Sequence, residues 1–117
     1  MEGTQKYKVM RRNEEIEFYG KFLKEFTNEH QEKDMKYDMW DNDKLYELDQ
    51  TMNKGNSLFK YLISEEHHEI ENGVETVKYS IMVWDNKEKL LKDFMFLYMD
   101  GPDNKIYQEL KKYFEVE

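Results

Sequence analysis

Residues 58–84, LFKYLISEEHHEIENGVETVKYSIMVW, decide the fold of this chain because they place a turn signal between two strand-forming segments. The signal is Asn72-Gly73, a dipeptide that favours positive φ at both central positions of a two-residue hairpin turn. On its C-terminal side, apolar residues alternate with polar ones at Val77, Tyr79, Ile81 and Val83. The pattern predicts a β-hairpin with strands over Leu58–Glu71 and Val74–Trp84.

The segment before the hairpin begins with a strand pattern and continues with helical spacing. Lys6–Arg11 alternates and predicts a short strand. Residues 14–32 are predicted to form a helix capped by Asn13, with apolar residues at Ile16, Tyr19, Phe22, Leu23 and Phe26. An alternative is that Ile16–Tyr19 is a strand paired with Lys6–Arg11. A polar connection over Asp34–Asn42 then leads to a second helix, which begins at Asn42 or Asp43 and ends at Lys54–Asn56.

After the hairpin, Leu90–Met99 favours a third strand because it contains a compact aromatic run, although its spacing also allows a helix capped by Asp85. Pro102 suits the first turn of a final helix. The prediction is therefore an α+β fold in the order β-α-α-β-β-β-α. An antiparallel sheet of about three to four strands would be packed by two or three helices. Residues 1–117 would form a single domain, with 1–5 as a flexible tail.

Composition limits the class of protein. The 117 residues include no Cys, which excludes disulfides and thiol chemistry, while 9 Tyr, 7 Phe and 2 Trp supply enough rings for a folded core. No apolar run is long enough for a membrane span and no signal-like segment is evident, so we expect a cytoplasmic protein without a membrane partner. The scarcity of Ala, Arg, Gly and Pro suggests an AT-rich gene, as in a phage or plasmid.

Charge is concentrated in one window. The net charge is −8, and residues 65–75 contain five acids and no Lys or Arg. A local acidic surface favours a basic protein as partner and disfavours nucleic acid. Two aromatic residues of types enriched at interfaces, Tyr37 and Trp40, precede this window. The predicted partner-binding residues are Glu65, Glu66, Glu69, Glu71, Glu75, Tyr37 and Trp40.

Catalytic motifs are missing from the sequence. None of the serines lies in a Gly-x-Ser-x-Gly elbow, and the glycines are too scattered to form a phosphate loop. On a strand, Glu66 and His68 would share one face and His67 and Glu69 the other, which gives each face too few ligands for a typical catalytic zinc. We expect no enzyme activity, no cofactor and no metal. A third hypothesis is a metal- or ligand-binding role around His67 and His68.

The best-supported function is therefore a non-enzymatic acidic protein that docks on and inhibits or regulates a basic, nucleic-acid-handling or defence protein of the host. The alternative is a small regulator that binds RNA or DNA through its basic N-terminal strand. The residues that would carry this alternative are Lys6, Lys8, Arg11 and Arg12.

Overall fold

The computed structural model describes residues 1–31, 37–53, 58–97 and 101–116, with the side chains of 28–31, 37 and 116 outside the description. Five strands form one antiparallel sheet in the order β1-β2-β3-β4-β5, and two helices follow. The strands are β1 (Gln5–Arg11), β2 (Glu14–Gln31), β3 (Tyr37–Leu48), β4 (Tyr61–Glu71) and β5 (Val74–Trp84). The helices are α1 (Lys87–Leu97) and α2 (Lys105–Val116), preceded by a 3-10 turn at Gly101–Asp103. The α+β class is confirmed, but the predicted element order and strand number were wrong.

The hairpin is confirmed, although β4 begins at Tyr61 and not at Leu58 as predicted. β4 and β5 pair from Tyr61↔Trp84 to Glu71↔Val74, and Asn72 and Gly73 have φ of 51° and 79°. Both values are positive, as a two-residue hairpin turn requires. The strand at Lys6–Arg11 is also confirmed and pairs with β2, where Val9 lies opposite Ile16.

The helix predicted over 14–32 was wrong, and the alternative strand at Ile16–Tyr19 was right. β2 alternates normally until a bulge between Phe22 and Lys24, which shifts the register by one residue. Phe18 is buried on one face of the sheet before this bulge, whereas Phe26 is buried on the other face after it. A shift of one residue exchanges the faces, so the apolar positions imitate helical spacing.

The second predicted helix was also wrong, because residues 37–48 form the central strand β3. Both faces of β3 are buried: Leu45 belongs to one apolar cluster, and Tyr46 and Leu48 belong to the other. A strand buried on both faces loses the alternation of polar and apolar residues by which strands are recognised. The predicted helix end at Lys54–Asn56 lies outside the described residues.

Residues 87–97 form α1, so the third strand predicted over Leu90–Met99 was wrong. Its N-terminal cap is Asn86 rather than Asp85, since Asn86 Oδ1 accepts a hydrogen bond from the Lys89 N–H at 2.9 Å. The final helix is confirmed, but Pro102 lies in the 3-10 turn before it and not in its first turn. Its cap is Asn104, whose Oδ1 accepts bonds from the N–H groups of Ile106 and Tyr107 at 2.9 and 3.1 Å.

The sheet has two differently covered faces. We call the side with Leu45 and Ile63 the helix face, because Leu90 and Phe94 of α1 and Leu110 of α2 pack there. The opposite side, with Phe18, Tyr46 and Leu62, is called the hairpin face after the β1–β2 hairpin. The β1–β2 hairpin folds across this second face, and the Arg12 N–H reaches the Tyr79 carbonyl oxygen of β5 at 2.8 Å.

Residues 1–5 contact the loop after β3. The Thr4 hydroxyl donates to Asp49 Oδ2 at 2.7 Å, and the N-terminal ammonium lies 3.8 Å from the same oxygen.

Within the described ranges, neither helix has the length and apolar character needed to cross a bilayer.

Candidate acidic interface

The predicted acidic residues lie at the end of the sheet near the Asn72-Gly73 turn, and strand alternation divides them between the two faces. Trp40 pairs directly with His68, and Ile70 with Glu75, so Trp40, Glu66, His68 and Glu75 share the hairpin face. The remaining predicted acids, Glu65, Glu69 and Glu71, lie on the helix face. The sequence predicted a single acidic patch, but the sheet divides its residues between two faces.

On the hairpin face, Trp40, Glu66, His68 and Glu75 form a compact group that we call the Trp40–His68 patch. The indole and imidazole rings stack with centroids 4.7 Å apart and planes 4° apart. His68 Nε2 lies 3.5 Å from Glu66 Oε2, and His68 Nδ1 lies 3.2 Å from Glu75 Oε1. The side chains of Glu66 and Glu75 are 41% and 52% exposed. The patch therefore offers two accessible carboxylates beside an aromatic surface.

On the helix face, His67 lies between two carboxylates. Its Nδ1 is 2.5 Å from Asp41 Oδ1, and its Nε2 is 2.9 Å from Glu69 Oε1. Burial lowers the pKa of His67, but its hydrogen bonds to Asp41 and Glu69 outweigh burial and raise the pKa above its ordinary value of 6.5. This environment therefore favours the protonated form of His67, in which both ring nitrogens donate hydrogen bonds.

Asp43 lies beside this group and opposite Glu65 on β4. It is fully buried, and neither carboxyl oxygen has a hydrogen-bond partner in the described structure. Burial, followed by the nearby charges of Glu65 and Asp41, raises the pKa of Asp43 to about 9. Asp43 is therefore uncharged at neutral pH, and the negative charge of this end of the sheet comes from its neighbours.

Asp41 and Asp43 were not predicted to lie with the acidic residues around His67. Both were assigned to a connection or a helix cap, and only the β3–β4 register, with Asp41 opposite His67, brings them to these residues. Recognising residues 37–48 as a strand would have revealed them. Tyr37, the other predicted aromatic contact, begins β3, and its side chain lies outside the description.

The basic residues of the nucleic-acid alternative are largely neutralised within the β1–β2 hairpin. Lys6 Nζ lies 2.9 Å from Glu17 Oε2, Lys8 Nζ lies 3.5 Å from Glu17 Oε1, and Arg11 Nη2 lies 3.0 Å from Glu14 Oε2. Arg12 occupies the turn with φ of 56°. A row of cations paired with carboxylates presents little net positive charge to a phosphate backbone.

His67 and His68 do not converge on a common point. His67 and His68 point to opposite faces of β4, and carboxylates contact both ring nitrogens of each. Among the residues that the structure describes, no three His, Asp or Glu side chains are placed to hold a metal ion.

Comparison with protein-family models, curated proteins and solved structures finds no match to this chain.

Proposed function

We propose that this chain is a non-enzymatic acidic binding protein that docks on a basic surface of a larger host protein through the Trp40–His68 patch. The observation that carries the proposal is the stacked Trp40–His68 pair flanked by the accessible carboxylates of Glu66 and Glu75. A rigid aromatic surface supplies contact area at low entropic cost, and the carboxylates select a cationic partner.

The charge around the patch supports a basic protein rather than a nucleic acid. Residues 65–75 contribute five acids and no Lys or Arg, within a chain of net charge −8. In the described part of the chain, the side chains of Glu66, Glu69 and Glu75 contact histidine rings and make no ion pair with a lysine. Two of these acids remain about half exposed, so a partner's Lys or Arg side chains can reach them.

The composition points to the kind of partner. A Lys-rich, Ala-free chain fits an AT-rich mobile element such as a phage or plasmid. Host proteins that handle nucleic acid, including defence nucleases, carry basic grooves for phosphate backbones. We infer that docking would occlude such a groove and inhibit or regulate the host protein stoichiometrically.

The test compares charge reversal inside and outside the patch. The partner is first captured from host lysate, identified and purified, and its affinity for each variant is then measured. Glu66→Lys/Glu75→Lys should weaken binding by at least about tenfold, since two charged contacts are lost. The control, Glu88→Lys/Glu115→Lys, makes the same change in net charge at exposed helix positions.

Equal weakening by both double variants would contradict docking through the patch, because net charge alone would then explain the effect. The association rate of the wild type should also fall steeply as salt increases, since steering by charge is screened. An affinity that barely changes between low and high salt would overturn the electrostatic mechanism. Trp40→Ala, which keeps the charge, separates the aromatic contribution.

A further inference from the structure

A second feature, separate from the acidic patch, lies where the β1–β2 hairpin folds over the hairpin face. The two layers leave between them a half-open cavity of about 440 Å³. This volume lies within the range of about 300–1,000 Å³ that is usual for small-molecule sites. The apolar lining includes Ile16, Phe18, Leu48, Leu62, Ile81 and Val83.

The β1–β2 hairpin and the sheet are in close contact at one end of the cavity, and the cavity is open at the other end. The Arg12 N–H bonds to the Tyr79 carbonyl oxygen at the first end, whereas further along β5 the lining continues past Ile81 to Val83. At that end Val83 and Met52 are 37% and 49% exposed. Exposed apolar side chains around a concave surface are typical of a binding site.

The shape of the cavity is set by β2. Four consecutive residues of this strand, 16–19, line the cavity, whereas β1 contributes only Lys6 and Arg11 near its ends. The cavity is thus a groove that runs along β2 for about 10 Å, which suits a linear ligand better than a compact one.

The charges at the groove differ between its ends. Lys6 is balanced by Glu17, which also lines the groove and lies 2.9 Å from the Lys6 ammonium. Arg11 pairs with Glu14, which is not part of the lining, through a solvent-exposed contact of 3.0 Å. The charged lining residues are thus Lys6, Arg11 and Glu17, which together carry a net charge of +1. Because Glu17 lies at Lys6, this positive charge is at the Arg11 end, where a ligand carboxylate would compete with Glu14 in a solvent-exposed and therefore weak ion pair.

We propose that this groove binds a linear aliphatic carboxylate, with the chain against the partly exposed side chains of Ile16, Ile81 and Val83 and the carboxylate on Arg11. The guanidinium can form two parallel hydrogen bonds with a carboxylate, which fixes the position of the head group. The chain then extends along β2 toward Val83 and Met52. Neither Arg11 nor this groove belongs to the Trp40–His68 patch, so the inference stands independently of the proposed function.

The experiment titrates the intact protein with decanoate below its micelle concentration and follows binding by calorimetry. Saturable binding with one site is expected for the wild type. Val83→Trp, which fills the groove, should abolish binding. Val74→Trp is the matched control, because Val74 lies on the same strand but is 67% exposed near the Asn72-Gly73 turn.

The head-group assignment is tested with Arg11→Gln and its control Lys6→Gln. Arg11→Gln should weaken decanoate binding about tenfold, which is the loss expected for a charge-assisted hydrogen bond, and Lys6→Gln should change it little. Decanol should bind more weakly than decanoate to the wild type but not to Arg11→Gln.

Three results would overturn the proposal. The first is that no saturable binding of decanoate occurs, and the second is that decanol binds as tightly as decanoate. The third is that wild-type protein is dimeric by light scattering and Val83→Trp is monomeric, which would assign the groove to a second copy of the chain.

Discussion

Asp43 places a carboxyl group in a fully buried position beside Glu65 and Asp41, and this arrangement makes folding depend on pH. The pKa of Asp43 is raised from 3.8 to about 9. Between these pH values the folded protein holds a proton that the unfolded chain has lost. Stability therefore falls as pH rises through this interval, by up to about 1.4 kcal/mol per pH unit.

Asp43→Asn is predicted to stabilise the protein at pH 8 and to have little effect near pH 4. The amide is neutral at both pH values and close in shape to the protonated acid, so it removes the linkage to protons. The measurement is urea unfolding of both proteins across pH 4–9. A variant that is destabilised equally at every pH would contradict the raised pKa of Asp43.

His67 also makes the free energy of unfolding fall as pH rises, so a His67 variant serves as the control for Asp43→Asn. Because its pKa is raised in the folded state, its contribution is complete below the unfolded value of 6.5 and is lost as pH rises through the folded pKa. The loss for His67 thus begins near neutral pH, whereas the loss for Asp43 begins near pH 4. His67→Gln should therefore leave the decline between pH 4 and 6 in place.

At the scale of elements, the pairing of β2 with β3 depends on a close backbone approach at Gly20. A Cβ atom at this position would lie within 2.3 Å of the Glu47 carbonyl oxygen, which is backbone and cannot rotate away. Gly20 is thus required by the close approach of β2 and β3.

Gly20→Ala is predicted to destabilise the protein by about 2–3 kcal/mol, because the β2–β3 ladder must separate locally to admit the methyl group. The measurement is the midpoint of urea unfolding. Lys21→Ala is the control, since Lys21 is the next residue on the same strand and is exposed. A Gly20→Ala variant as stable as Lys21→Ala would mean that the strands do not approach as closely as described.

At the scale of the whole molecule, a net charge of −8 makes the folded chain repel itself. Its exposed ion pairs, such as Lys6–Glu17 and Arg11–Glu14, are individually weak, so their screening costs little. The net effect of added salt should therefore be to stabilise the fold.

We predict that the melting temperature rises as sodium chloride increases from about 10 to 150 mM, since the screening length then shortens from about 30 to 8 Å. The rise should be smaller in Glu66→Lys/Glu75→Lys, which carries less negative charge. A melting temperature that falls with salt would show that attractive pairs outweigh the net repulsion.

The sequence by itself determined the parts of the molecule that depend on neighbouring residues. The turn at Asn72-Gly73 requires only two residues that tolerate positive φ, and the separation of Glu66 and His68 from His67 and Glu69 follows from the period of a strand. A final helix was likewise predicted from local signals, although α2 begins only after the 3-10 turn that contains Pro102.

Only the tertiary structure decided the rest, because the deciding contacts join residues far apart in the chain. The bulge at Phe22–Lys24 moves the buried side of β2 to the other face, and burial of β3 on both faces removes the alternation that would reveal a strand. α1 is a helix because Leu90 and Phe94 reach the core over the sheet. Asp41 meets His67 through strand pairing across 26 positions, a relation that local spacing cannot express.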